Sequence, residues 1–210
     1  MTLNLVLLKY IWLFVNKNEE ISKERMMSVK LQIQSTPNPN ALKFVLNTPV
    51  KTEGKATYKS AAECEYNPLA QALLAIEHVL EVYFFDNYIT VTQDGNGDWD
   101  ALEEKIKSTI LEKIDQHDPN FKVEEPEKPV VTSDNPEIGK INAILDQTIR
   151  PALQMDGGDI QIVQFEGNVV KVNYQGACGS CPSSAMGTLK AIENLLRDEY
   201  KPDIVVELAA

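Results

Sequence analysis

Two cysteines separated by two residues form the part of this sequence best suited to chemistry. Cys178 and Cys181 follow an alternating, strand-like pattern and precede Pro182 and an amphipathic, helix-like stretch. Proline favours the first turn of a helix, so Cys181 is expected near a helix N-terminus, where the partial positive charge favours a thiolate. Thiolates bind metal ions and attack disulfides, so the loop is suited to either chemistry.

The number of available ligands leaves three interpretations open. Iron–sulfur clusters and structural zinc sites usually need four protein ligands, and this loop supplies two. Cys64, His78 and His117 all lie in an earlier region, and none is positioned by sequence to complete the site. Two copies of the loop facing each other across a two-fold axis would supply four thiolates, which predicts a metal centre bridging a homodimer. A thioredoxin-like redox pair and two buried structural cysteines are the alternatives.

Three runs of residues then resemble one known family. Residues 149–159, which read IRPALQMDGGD, and the cysteine loop within residues 176–184 are similar to the C-terminal domain of NifU. That domain defines the Nfu-type iron–sulfur scaffold and carrier proteins. Residues 34–44, which read QSTPNPNALKF, resemble the start of the N-terminal domain of the two-domain members.

This resemblance implies a function and a set of partners. Cys178 and Cys181 from each of two subunits would hold one cluster, typically [4Fe–4S] with [2Fe–2S] as the alternative, and the cluster would pass to apo-proteins. The implied partners are a second copy of the chain, apo iron–sulfur recipients and upstream assembly proteins. The protein is then a scaffold or carrier and not an enzyme, with a thiol–disulfide redox protein or a zinc-bridged structural dimer as the competing functions.

Composition limits the partners and the compartment. The 210 residues include 31 acidic and 20 basic side chains, and the resulting net charge of −11 opposes binding to nucleic acid or anionic lipid. Three cysteines do not form a disulfide framework, and their odd number fits a reducing compartment, so we predict a cytoplasmic location. The apolar run from Leu3 to Val15 contains Lys9 and is too short to span a bilayer, so no membrane association is expected.

The sequence predicts an α+β protein of two small α/β-sandwich-like domains. We expect an N-terminal extension over residues 1–26, an Nfu N-terminal-like domain over 27–116, a linker over 117–135 and a cluster-binding domain over 136–210. The linker is rich in proline and glutamate, which predicts a semi-rigid tether. The C-terminal domain is expected to have the order α-β-β-α-β.

In the N-terminal domain, the patterns predict strands over 29–34, 42–46, 81–85 and 88–92. One helix is expected to begin at the cap Asn67, with an apolar stripe that continues to Leu80, and a second helix is expected after Asp98. Residues 94–98 begin like a calcium-binding loop but lack its later glycine and glutamate, so they are interpreted as a helix-capping turn. Cys64 lies between two glutamates that disfavour its thiolate, and it is predicted not to be a ligand.

In the C-terminal domain, a first helix is expected to kink or end near Pro151. Gly157 and Gly158 are expected to permit a tight turn with positive φ, with a direct role at the metal site as the alternative, and Gly167 begins a predicted hairpin turn. The last strand is expected over 204–208. Asp156 and Asp159 carry little weight as a catalytic pair, because no partner histidine or substrate pocket is in view.

Overall fold

The computed structural model describes residues 29–123, 136–179 and 184–209, which form two domains, each with its own sheet. The predicted N-terminal extension, most of the predicted linker and Cys181 lie outside these residues. The α+β class and the α-β-β-α-β order of the C-terminal domain are confirmed. The predicted boundaries between domains and linker stay predictions.

The N-terminal domain is a five-stranded antiparallel sheet with two helices on one face. The sheet order is β1-β2-β5-β4-β3. Its elements, in chain order, are β1 (Leu31–Ser35), β2 (Ala41–Leu46), β3 (Lys51–Tyr58), α1 (Pro68–Leu74), β4 (Val79–Asp86), β5 (Tyr88–Gln93) and α2 (Trp99–Lys113).

The two helices of this domain begin where side-chain caps are available. The Oδ1 atom of Asn67 accepts a hydrogen bond from the amide of Ala70 at 3.0 Å, and Pro68 occupies the first turn. Asp98 caps α2 by accepting from the amide of Asp100 at 3.2 Å. The residues that resembled a calcium-binding loop therefore form a turn that leads into a helix cap.

One prediction in this domain was wrong, and one strand was missed. Helix α1 ends at Leu74, and Leu80 lies in β4 with 51% of its surface exposed, so the apolar stripe does not continue that far. The edge strand β3 was not predicted, because Gly54 has a φ of +69° and the pairing with β4 is irregular between Lys51 and Lys55. That irregularity removes the alternation by which a strand is recognised in a sequence.

The C-terminal domain packs two helices against a three-stranded sheet of order β6-β7-β8. The pair β6 and β7 is antiparallel, and β7 and β8 are parallel. Its elements, in chain order, are α3 (Pro136–Met155), β6 (Gly158–Glu166), β7 (Val169–Gly176), α4 (Ser184–Glu199) and β8 (Val205–Leu208).

Helix α3 does not end near Pro151, which was one of its two expected outcomes. It continues through Pro151 to Met155, so the expectation that it ends near the proline is wrong. Pro151 is exposed on the helix, and Leu153 beyond it is buried against the core. Burial of that last turn offsets the backbone hydrogen bond that proline cannot donate. In the described part of the chain, no helix has the combination of length and apolar character needed to cross a membrane.

Candidate metal centre

The first half of the cysteine loop is a tight turn at the end of β7. Gly176 ends the strand with a φ of +61°, and the amide of Gly179 donates to the carbonyl oxygen of Gly176 at 2.9 Å. The amide of Ala177 donates to the carbonyl oxygen of Gly157 at 3.1 Å. The loop is therefore attached to the turn that precedes β6.

Cys178 lies within this turn and faces the core of the C-terminal domain. Its residue surface is 6% exposed, and it packs with core residues of α3, the sheet and α4. Cys181, the second predicted ligand, lies outside the described residues. The assignment of both cysteines as ligands stays a prediction.

The two glycines before β6 have different physical roles. Gly157 has a φ of +80°, which confirms the expected tight turn. Gly158 does not share that conformation, so the expectation was wrong for it. A Cβ atom at Gly158 would overlap the Sγ atom of Cys178 and would lie 2.8 Å from the carbonyl oxygen of Gln175. Gly158 therefore makes room for the thiol itself, a packing role that sequence reasoning missed although the glycine pair was its visible signal.

Side chains of the N-terminal domain also contact the loop. The Oε1 atom of Glu81 accepts a hydrogen bond from the amide of Gly176 at 3.0 Å. The Nδ2 atom of Asn38 donates to the carbonyl oxygen of Ala177 at 2.9 Å, so two N-terminal side chains bind the residues just before Cys178. Sequence reasoning did not find Glu81 or Asn38, because each lies about a hundred residues or more from the loop.

The segment around Gly157 receives a second set of contacts from the same domain. The hydroxyl of Thr90 donates to the carbonyl oxygen of Gly157 at 2.7 Å. The Nζ atom of Lys43 donates to the carbonyl oxygens of Gln154 and Met155 at 3.0 and 3.1 Å, at the C-terminal end of α3. A cation is favourable there because the last carbonyl groups of a helix lack backbone partners.

Asp159 has a structural role that the amino-acid sequence of the chain did not indicate. It is 2% exposed and forms an ion pair with Lys55, whose Nζ atom lies 2.9 Å from its Oδ2 atom. The Nε atom of Arg150 lies 3.6 Å from its other oxygen. Asp156, by contrast, is exposed. The two aspartates therefore have different environments, which agrees with the little weight given to them as a catalytic pair.

Burial dominates the electrostatics around the loop. Burial raises the pKa of Glu81, and Lys59, whose Nζ atom lies 3.3 Å from Glu81 Oε2, opposes that shift. Burial also raises the pKa of Tyr174 to about 12, with a smaller contribution from Cys178. The pKa values of Tyr83 and Tyr88 are raised for the same main reason. These phenols near the thiol stay protonated at neutral pH.

The described residues do not complete a four-ligand site within one chain. They contain no group of three or more histidine, cysteine or acidic side chains that could hold a metal ion. Cys64 is 2% exposed in the core of the other domain, and its thiol donates to the carbonyl oxygen of Ser60 at 3.4 Å. The pKa of Cys64 is raised by burial first and by Glu63 second, so the disfavoured thiolate has burial as its main cause.

The fold and the site together define a two-domain α+β protein. The described part of its cysteine loop belongs to the C-terminal domain and contacts the N-terminal domain. A family model described as "NifU-like domain" matches residues 141–207, and one described as "Scaffold protein Nfu/NifU N terminal" matches residues 31–117. The chain is 36% identical over 176 residues to the human "NFU1 iron-sulfur cluster scaffold homolog, mitochondrial", covering 83% of this chain and 69% of that protein. The chain therefore belongs to the Nfu family, in which an Nfu N-terminal domain precedes a NifU-like domain.

A Drosophila protein and a yeast protein of known structure are also similar to this chain. The chain is 33% identical over 177 residues to the protein of the same name from Drosophila grimshawi, covering 83% of this chain and 59% of that protein. It therefore spans less than two thirds of that relative's length. The solution NMR structure of a NifU-like protein from Saccharomyces cerevisiae has 20% sequence identity and a TM-score of 0.40, covering 46% of this chain and 87% of that one.

Proposed function

We propose that this protein is an iron–sulfur cluster scaffold or carrier that binds one cluster, typically [4Fe–4S], between two subunits. Cys178 and Cys181 of each subunit would supply the four thiolates. The observation that carries the proposal is the position of Cys178 in a tight glycine-containing turn, where the missing Cβ of Gly158 makes room for its Sγ atom. The family relationship and the names of the human and Drosophila relatives support the same cargo.

The half-site suits a carrier better than a permanent metal centre. Two thiolates per chain cannot saturate a four-ligand cluster, so binding would depend on a second subunit. Separation of the subunits, or attack by thiolates of an apo-protein, would then release the cargo. The proposed partners are a second copy, apo iron–sulfur recipients and upstream assembly proteins. No turnover chemistry is proposed for the chain itself.

The proposed location is the cytoplasm, on the ground of cysteine usage alone. The human and Drosophila relatives are both named as mitochondrial proteins. Location therefore stays a prediction for this chain. The net charge of −11 supports the further proposal that nucleic acid is not a partner.

Anaerobic reconstitution tests the proposal. The purified full chain is incubated with iron and sulfide and separated by size, and its iron, sulfide and Mössbauer spectrum are measured. We expect about four iron and four sulfide per two chains. Cys178→Ala and Cys181→Ala should each lose the cluster. Cys64→Ala is the matched control, because it removes a buried thiol far from the loop in sequence, and it should retain the cluster.

Three results would contradict the proposal. Full iron binding by the Cys178→Ala or Cys181→Ala variant would overturn the ligand assignment. A colourless protein that takes up only zinc would indicate a structural zinc dimer. A reversible Cys178–Cys181 disulfide that reduces a model disulfide at catalytic rates would indicate a redox protein.

A further inference from the structure

The sheet of the N-terminal domain has a polar face that is covered by the C-terminal domain. Side chains alternate between the two faces of a strand, so the neighbours of core residues such as Phe44 and Ile89 point to the opposite side. We call this opposite side, with the turn before β2, the docking face. The residues of the docking face that reach the other domain are Asn38, Lys43, Lys55, Glu81, Tyr83 and Thr90.

The docking face covers Gly176 and Ala177, which precede Cys178, whereas Gly179 after it is exposed. Glu81 and Asn38 bind the backbone of Gly176 and Ala177, as described above. The ring of Tyr83 lies against Gly176, where an added Cβ atom would come within 2.9 Å of the Cδ1 atom of Tyr83. On the other side of the thiol, an added Cβ atom at Gly179 would lie 3.6 Å from Glu81 Oε1. The protein's own N-terminal domain therefore lies against the side of this turn that leads into Cys178.

Further contacts attach the N-terminal domain to residues 157–160, the segment that lies beside the cysteine loop. Lys55 pairs with Asp159 and also donates to the carbonyl oxygen of Ile160 at 3.2 Å. Thr90 binds Gly157, which in turn accepts from the amide of Ala177. Displacement of the N-terminal domain would release both segments that surround the thiol.

The chemistry of the docking face favours reversible contact. Lys43 and Glu81 are 8% and 7% exposed, and Thr90 is fully buried, so charged and polar groups occupy the covered surface. An interface that never opened would be favoured by apolar side chains, since burial of charge is costly unless every group is well paired. Polar groups are solvated without penalty once the domains separate, and polar interfaces between domains are commonly mobile.

We infer that the N-terminal domain is a gate over the cysteine loop. The docked state shields Cys178, and the gate must open before a second subunit can share a cluster with it. The shielding rests on contacts within one chain, whereas its consequence for cluster binding rests on the proposed function. The partner recognised by the docking face is therefore the backbone of Gly157, Gly176 and Ala177 of the same protein.

Thiol alkylation tests the gate without a cluster. The full chain carries Cys64→Ala and Cys181→Ala, so that Cys178 is its only cysteine, and its reaction with iodoacetamide is followed by mass spectrometry. Adding Lys55→Met and Thr90→Val removes two docking contacts without touching the predicted ligands. We expect the alkylation rate to rise about tenfold, because the open state becomes more populated. Thr90→Val alone keeps the shape of the side chain, so it provides a milder variant if the double change disturbs folding.

The matched control makes the same chemical changes on α2. Lys107→Met and Thr109→Val remove an ion pair with Glu104 and a hydrogen bond to the Lys105 carbonyl, outside the docking face. The alkylation rate of this control should equal that of the parent chain. Equal rates for the docking variant and the control would overturn the gate.

The same substitutions are then made in the chain with all three cysteines, and cluster loading of that variant is measured. This measurement separates the gate from the proposed function. Faster alkylation together with faster loading in the docking variant supports the gate and its role. Faster alkylation in a protein that never loads a cluster would support the shielding of Cys178 but contradict the proposed function. Unchanged alkylation with normal loading would contradict the gate and leave the proposed function standing.

Discussion

At the scale of single residues, Gly158 is a position where one added atom would disturb the candidate site. The missing Cβ leaves space for the Sγ atom of Cys178, which packs against it from the end of β7. Gly187 in α4 offers a contrast, because nothing lies within 4 Å of an added Cβ atom there and its backbone is helical. The same chemical change should therefore have opposite effects at the two glycines.

We predict that Gly158→Ala destabilises the protein, while Gly187→Ala stabilises it. Overpacking beside Cys178 should lower the free energy of unfolding by about 1–3 kcal/mol. Alanine in the helix should raise it by about 1 kcal/mol, since glycine is a poor helix former. Urea unfolding followed by circular dichroism measures both changes. Equal stability of Gly158→Ala and the parent chain would show that the packing around the thiol is loose.

At the scale of elements, His117 connects the end of the α2 region to the edge of the N-terminal sheet. Its Nε2 atom lies 2.7 Å from the carbonyl oxygen of Val50, and its ring stacks on Phe84 with centroids 5.7 Å apart. Burial lowers the pKa of His117, and Lys51 adds to the effect. The contact with Val50 and the charge of Asp118 oppose it. The neutral ring is therefore the form that the fold prefers.

We predict that protonation of His117 weakens the fold in mild acid. The unfolded chain binds the proton with a pKa of about 6.5, above the folded value, so the contribution is complete above that pH. Stability should then fall as the pH drops below about 6.5 and through the lower folded pKa, with a slope of at most about 1.4 kcal/mol per pH unit. Urea unfolding from about pH 7.5 to 5 measures it.

The two histidines of the sequence provide matched variants for this measurement. His117→Gln should remove the histidine part of the pH dependence, leaving only that of the carboxylates. His78→Gln, which changes a ring bonded to Asp94 on the surface, should keep it. An unchanged pH profile in the His117→Gln variant would contradict the prediction.

At the scale of the whole molecule, the arrangement of the domains bears on how many chains a cluster needs. The described residues of one chain bring a single cysteine to the loop and hold Cys64 in a separate core. The N-terminal domain also contacts the backbone that leads into Cys178. In the proposed function, the cluster is therefore shared with a second chain.

We predict that the loaded protein has about twice the 23.5 kDa mass of one chain. Light scattering after size separation, with iron measured in the same fractions, tests this. Removal of iron by a chelator should abolish the visible absorbance of the cluster. Iron and sulfide that stay with a particle of single-chain mass would contradict a bridging cluster, whatever the state of the apo-protein.

Local signals in the sequence were sufficient for most elements. The caps Asn67 and Asp98 start helices because each side chain binds an amide only two or three residues away. The turn at Gly167-Asn168 joins two strands as expected, and Gly167 has a positive φ value. The position of the cysteine loop after a strand was also predictable, because alternation and glycine are local features.

Contacts between distant residues were decided only by the tertiary structure. Strand β3 depends on pairing with β4, and without that partner its sequence has little strand character. The ion pair of Lys55 with Asp159 joins residues of different domains, as does the hydrogen bond of Glu81 to Gly176. The sequence by itself determined the local elements and the thiols, because these depend on neighbouring residues. The contacts of the N-terminal domain with Gly176 and Ala177 depend on the packing of two complete folds, so only the tertiary structure decided them.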